Sequence, residues 1–308
     1  MRSVYLGTSE FAATVLRALA AGGRKPSLVV TPPDRKRGRG RSVQPPPTAA
    51  AAAELGIELH QTADVNSDES RDAIRVADPG VAVVCAFGQL IREPLLSEIE
   101  MLNVHPSLLP RWRGAAPIER AIMAGDERTG VCIIRLTTGL DSGPVALSAE
   151  TAIGESEDYG DLAATLAAES GKLMIEALDM HDEGRLTFTA QPDEGVTYAE
   201  KIEPGERQVD PGGSAASESG RVRALTPHIG AFAMLDGDAR LGLRDVIARA
   251  DGPRQGEFAA GESSDLLLLG LAEGALGIAT VQPAGKRWMS AGDYLRGYGL
   301  PAAASGNG

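Results

Sequence analysis

Three side chains in this sequence could act together on a carbonyl. Asn103 and His105 stand two residues apart in the stretch NVHPSLLPRWRGAAP, from Asn103 to Pro117. In extended backbone, residues two apart share a face, so an amide and an imidazole lie side by side. Pro106 and Pro110 bar a helix just after them, and the reading is a stiff loop with exposed main-chain groups. The third, Asp141, sits in GLDSG (Gly139–Gly143), following the apolar run Val131–Leu136. An amide can donate to the oxygen that gains charge in a tetrahedral intermediate. An imidazole can do the same or move a proton between nitrogens, and a neighbouring carboxylate is expected to raise its pKa and orient it. Acyl or formyl transfer to an amine suits this set and needs no covalent nucleophile. A lone histidine more often just bonds loop backbone, so the surrounding words must decide.

The chain of 308 residues has room for one large and one smaller domain. Its net charge of −12 repels polyanions at long range. No apolar run approaches the roughly 18 residues of a membrane span, and MRSVYLGTSEF enters a strand pattern without a signal-peptide core. Cys85 and Cys132 both fall in apolar strand-like runs, which implies buried free thiols and a reducing cytoplasm. The histidines His60, His105, His181 and His228 are scattered, so no metal is expected.

These residues need a frame. Strands are expected at Ser3–Leu6, Leu28–Thr31, Ile57–Leu59, Val81–Phe87, Val131–Leu136 and Val145–Glu150. Helices are expected at Glu10–Ala21 (capped by Thr8 or Ser9), Thr48–Leu55, Glu69–Val76, Ala116–Ala124 and Asp161–Asp182. That alternation describes a Rossmann-like α/β domain with a mostly parallel sheet, whose strand ends are where such folds place their sites. The single Gly7 after the first strand is not a dinucleotide fingerprint. Gly184–Glu206 has the texture of an extended connector. Beyond it come a helix at Ser214–Leu225 and short glycine-separated runs at Ala231–Leu235, Ala239–Val246, Asp265–Leu269 and Gly277–Gln282, as in a small β-barrel. The division is a catalytic domain over 1–185, a linker over 186–206 and a C-terminal domain over 207–308. The tail PAAASGNG is expected to be disordered.

One local feature opposes the global charge. Between Asp34 and Arg41 stand five cations, Arg35, Lys36, Arg37, Arg39 and Arg41, interleaved with Gly38 and Gly40 and followed by three prolines. This reads as a mobile surface loop able to contact phosphates.

NVHPSLLPRWRGAAPI followed by GLDSGP closely resembles the folate-dependent formyltransferases, in particular the branch acting on methionyl initiator tRNA. The resemblance extends to GTSEFAA near the N-terminus, to TYAEKI at Thr197–Ile202 and to QPAGKRWMSAGDYLRG at Gln282–Gly297. It implies 10-formyltetrahydrofolate as formyl donor and the α-amine of methionyl initiator tRNA as acceptor. It further implies Asn103, His105 and Asp141 as the catalytic set and Ser107, Leu108, Leu109 and Pro110 at the folate. The basic loop would enter the acceptor end of the tRNA, with Arg39 nearest the terminal base pair. A C-terminal barrel of the OB type would help hold the tRNA, with Lys286 and Arg287 as its basic candidates and Trp288 packed in the barrel. The expected assembly is a monomer. Pro144 stands where many members carry a second acid, and PHIGAF (Pro227–Phe232) replaces a more tryptophan-rich version. The same chemistry on a nucleotide sugar is the nearest competitor, and a non-catalytic RNA-binding protein on the same fold is a second. The basic loop and the barrel argue against the first, and the complete Asn103, His105, Asp141 set argues against the second.

Overall fold

A computed structural model of the chain describes residues 1–37, 42–236, 239–261 and 265–306, with Arg37 described in its backbone only. By its contacts the chain forms two compact units. One comprises 1–114, 129–151 and 163–198, and the other 115–128, 152–162 and 199–308.

The first unit is built on a seven-stranded sheet. Its strands are β1 (Ser3–Gly7), β2 (Leu28–Thr31), β3 (Glu58–Gln61), β4 (Val81–Cys85), β5 (Met101–His105), β6 (Arg128–Arg135) and β7 (Val145–Ala152). Their spatial order is β7-β6-β5-β4-β1-β2-β3. The pairs from β5 across to β3 are parallel, and β6 lies antiparallel to β5. Val4, Tyr5, Leu6 and Val83 are fully buried, as expected for parallel strands covered on both faces. Strand order reverses about β1: the chain moves outward through β2 and β3, then returns to β4 on β1's other side. In such sheets the crevice at the strand ends beside this switch is the binding site, and β4 and β5 both finish there.

Helix Glu10–Ala21 follows β1, and the Ser9 hydroxyl caps it by accepting from the Ala12 amide at 3.3 Å. Cys85 and Cys132 are buried free thiols. Burial pushes the Cys85 thiol up to about 12 and that of Cys132 to about 11.

The second unit holds an antiparallel half-barrel. Its strands are β8 (Ala231–Leu235), β9 (Ala239–Arg249), β10 (Phe258–Ala260), β11 (Leu267–Gly270), β12 (Ala275–Pro283), β13 (Met289–Ser290) and β14 (Ala304–Ser305). The order is β10-β11-β12-β9-β8-β14, with β13 on β12. Leu241, Leu243, Leu267, Leu269, Leu276, Ile278 and Val281 fill its interior together with Val222 and Leu225 of helix Ala215–Leu225. That helix also meets helix Pro117–Met123, where Gly220 allows close approach: a Cβ there would lie 3.1 Å from the Ile122 carbonyl oxygen.

Four expectations are corrected here. Asn103 and His105 lie inside strand β5, not in the loop, because the strand runs on until Pro106 ends it. The basic segment is an antiparallel hairpin, with Arg35–Arg37 paired to Ser42–Gln44; backbone pairing alone orders its stem. Arg39 and Arg41 lie outside the described residues. The tail is ordered at Ala304–Ser305, which pairs with β8, while the Ala304 amide donates to Gly256 just ahead of β10 at 2.7 Å. This one short strand thus bridges the sheet's two edges. Trp288 is half-buried on the sheet's outer surface beneath the Arg244 guanidinium, 4.1 Å from its ring centroid, so it does not enter the core.

Candidate active site

The end of β5 presents Asn103 and His105 on one face, and both are buried (8% and 3% exposed). Their register partners are Val84 and Ile134 for Asn103, and Cys132 for His105. Among the described residues the Asn103 side chain makes no hydrogen bond within the protein. The amide is not among the fully buried polar atoms, so an otherwise buried side chain keeps its donor open to a ligand.

His105 is held from two sides. Its Nε2–H donates to the Trp112 carbonyl at 2.9 Å, which fixes the tautomer and leaves the Nδ1 lone pair free in the neutral ring. Nδ1 faces Asp141 Oδ2 at 3.6 Å, a looser approach than a hydrogen bond. Burial holds the imidazole below its ordinary range; the Asp141 charge and the Trp112 carbonyl oppose that shift without cancelling it. The sequence-based expectation of a raised pKa is therefore corrected: desolvation outweighs the carboxylate. That direction favours the neutral imidazole.

Asp141 and Trp112 both adopt left-handed backbone, with φ of +43° and +66°. Asp tolerates this region through local hydrogen bonding, but for tryptophan it is strained, and such strain gathers at functional sites. Here it turns the Trp112 carbonyl onto His105. Asp141 Oδ2 in turn accepts from the Gly114 amide at 2.9 Å.

The stretch 107–110 forms the next turn. Ser107 is fully buried, and its hydroxyl donates to the Arg111 carbonyl at 2.7 Å, so this side chain shapes the loop. Leu108, Leu109 and Pro110 are half-buried and offer apolar surface. Arg35 and Lys36 of the hairpin are exposed, as are Lys286 and Arg287.

Sequence reasoning missed the residues that hold the set in place. Gln191, read as part of a passive connector, donates from Nε2 to the carbonyls of Asp141 and Gly143, each at 2.7 Å. Its Oε1 accepts from Arg113 Nε and Nη2 at 3.0 and 2.7 Å. The Thr197 hydroxyl accepts from the Trp112 amide at 2.8 Å. No local pattern marks these residues; their partners are 48 or more positions away. Gly143 is legible only in hindsight, since a Cβ there would collide with the Arg135 carbonyl.

An unpaired donor, a neutral imidazole and a carboxylate at a strand-end crevice suit transfer of a small acyl group. Comparison with known proteins agrees. The formyl transferase family model matches residues 1–178, and the formyl transferase C-terminal domain model matches residues 201–299. In structure the chain is similar to HypX from Aquifex aeolicus in complex with tetrahydrofolic acid, with a TM-score of 0.66 and 17% identity over 96% of this chain and 47% of that one. It is also similar to the sugar 3N-formyl transferase WlaRD, with a TM-score of 0.65 and 14% identity over 93% and 99% of the two chains. At such identities the likeness speaks to fold alone. Fold and site together define a formyl transferase, an enzyme class whose formyl donor is 10-formyltetrahydrofolate.

Sequence narrows the class. The methionyl-tRNA formyltransferase of Methylococcus capsulatus is 41% identical over 304 residues, covering 97% of this chain and 98% of its own. That of Jannaschia sp. is 40% identical over 299 residues, covering 96% and 97%. The chain belongs to the methionyl-tRNA formyltransferase family.

Proposed function

We propose that this chain moves the formyl group of 10-formyltetrahydrofolate onto the α-amine of methionyl initiator tRNA, with Asn103, His105 and Asp141 as the reacting set. The observation that carries the site assignment is the amide of the mostly buried Asn103, unbonded within the protein, beside a histidine whose free Nδ1 faces a carboxylate. The amine attacks the formyl carbon and the carbonyl oxygen gains charge. Asn103 donates to that oxygen. The amine nitrogen must lose a proton as the folate nitrogen gains one, and the neutral His105 Nδ1 accepts and returns it. Asp141 stabilises the imidazolium formed in between. In this geometry the Nε2–H of His105 is committed to Trp112, so Asn103 is the oxyanion donor and His105 the proton carrier.

The apolar surface of Leu108, Leu109 and Pro110 is assigned to the folate, and Ser107 supports it through the loop. The hairpin cations Arg35, Lys36, Arg37, Arg39 and Arg41 are assigned to tRNA phosphates, with Arg39 nearest the terminal pair. Residues 1–185 carry the reacting set, 186–206 lead on to the C-terminal domain while bonding to the catalytic loops through Gln191 and Thr197, and 207–308 help bind tRNA. A cytoplasmic monomer is the proposed setting. Among the described residues no helix is long and apolar enough to cross a membrane.

The test is formyl transfer from 10-formyltetrahydrofolate to methionyl initiator tRNA, methionyl elongator tRNA and free methionine, with Arg39→Ala alongside the native chain. Strong preference for the initiator, blunted by the substitution, is expected. Transfer to a sugar amine with none to tRNA would keep the catalytic set and discard the tRNA reading.

A further inference from the structure

Four backbone or side-chain links tie the segment 189–197 to the catalytic loops. Thr189 and Val145 exchange both backbone hydrogen bonds at 2.8 Å, beside the end of the Asp141 loop. Gln191 bridges Asp141 and Gly143 to Arg113. The Thr197 hydroxyl and carbonyl accept from the Trp112 and Arg113 amides at 2.8 and 2.9 Å. The segment is therefore a strap laced between the loop that carries Asp141 and the loop whose Trp112 carbonyl holds His105.

Gln191 bonds to both loops through its side chain. Both of its ends are used: the amide donates twice to the Asp141 loop, and its oxygen accepts twice from Arg113. Arg113 directly follows Trp112 in the chain and precedes Gly114, whose amide holds the Asp141 carboxylate. Asp141 itself sits in left-handed backbone, a conformation that persists only where its surroundings over-determine it. Bonds to the carbonyls of Asp141 and Gly143 do that directly.

We infer that Gln191 is a positioning residue for formyl transfer, setting the distance between the Asp141 carboxylate and His105 Nδ1 by fixing the Asp141 loop to Arg113. This rests on the reading of Asp141 as the carboxylate that supports His105. Gln191 does not touch the reacting atoms; it acts through Asp141.

A double-mutant cycle tests this with the full-length enzyme and saturating methionyl initiator tRNA and 10-formyltetrahydrofolate. Gln191→Met keeps the shape and removes all four bonds. Gln191→Glu keeps an acceptor for Arg113 and removes the two donors. Both are expected to lower kcat about ten- to a hundredfold, with KM for either substrate changed less than about threefold and the thermal transition within a few degrees. In an Asp141→Asn background the effect of Gln191→Met should shrink to less than about threefold, because the group it positions is gone. Full kcat in Gln191→Met, with Asp141→Asn impaired, overturns the inference alone. Multiplicative losses in the double variant, or a loss confined to KM or to folding, overturn it too. A Gln191→Glu variant with native kcat overturns it as stated, since the donors would then not matter. Near-normal turnover of Asp141→Asn removes the underlying reading, and the inference falls with it.

Discussion

At the scale of residues the site is a contest between burial and charge. His105 lies 3% exposed at the end of a strand, and its pKa is drawn down by desolvation more than Asp141 draws it up. In the proposed mechanism the neutral form accepts the proton, so kcat should fall as pH drops through a value below the ordinary histidine figure of about 6.5. Removing the carboxylate with Asp141→Asn withdraws support from the imidazolium. The acid limb of kcat should then move to lower pH, with kcat itself reduced. An unmoved limb would assign it to the substrate amine and take His105 out of the proton-carrying role. Asn103→Ala leaves a vacancy where the oxyanion forms, and a loss of roughly a hundred- to a thousandfold in kcat is expected. KM for the folate should change little in comparison, because the ground-state carbonyl demands less from that donor. Type and spacing single out Asn103, His105 and Asp141 in the sequence, while their proposed roles come from the family resemblance. The pKa direction was not legible there, since burial depends on packing by distant strands.

At the scale of elements, most of what holds the site was written in local pattern. The helix at Glu10–Ala21 and the strand at Leu28–Thr31 match their expected bounds, and β4 follows from an apolar run closed by turn signals. Several elements escaped: β5 reads as loop in the sequence, and neither β10 nor the short helix Leu95–Glu98 is expected from it. The hairpin stem at Arg35–Arg37 and Ser42–Gln44 buries no apolar face, so hydrophobic periodicity has nothing to register there. Helix Ala291–Tyr298 did leave a signal: Ser290 caps it by accepting from the Asp293 amide at 3.1 Å, in the serine-then-acid spacing of an N-terminal box. The ordered tail is a non-local effect, as Ala304 finds its partners in β8 and at Gly256. Deleting 301–308 should destabilise the second unit by about 1–2 kcal/mol, the net worth of a few backbone hydrogen bonds. Denaturant unfolding of the full-length and shortened chains measures it, and equal midpoints would show that the strand contributes nothing.

At the scale of the whole molecule, two properties run against local reading. Segments 115–128 and 152–162 cluster with a unit whose bulk begins only at Ala199, and nothing in their own periodicity reports partners so far along the chain. The other property is charge. A chain of net −12 that acts on a polyanion must overcome its own field with a concentrated patch, and Arg35 and Lys36 stand exposed on the hairpin. Phosphate contacts release counterions, so each one steepens the salt dependence of binding by about 0.9 in a log–log plot. The KM for methionyl initiator tRNA should therefore rise with salt while that for 10-formyltetrahydrofolate stays nearly flat. In the double variant Arg35→Ala with Lys36→Ala, KM for the tRNA should rise and its salt slope should fall by about 1 to 2. Turnover at saturating tRNA should hold, because the hairpin bears no part of the reacting set. A native salt slope in that variant would place the phosphate contacts elsewhere, with exposed Lys286 and Arg287 of the second unit as the next pair to remove.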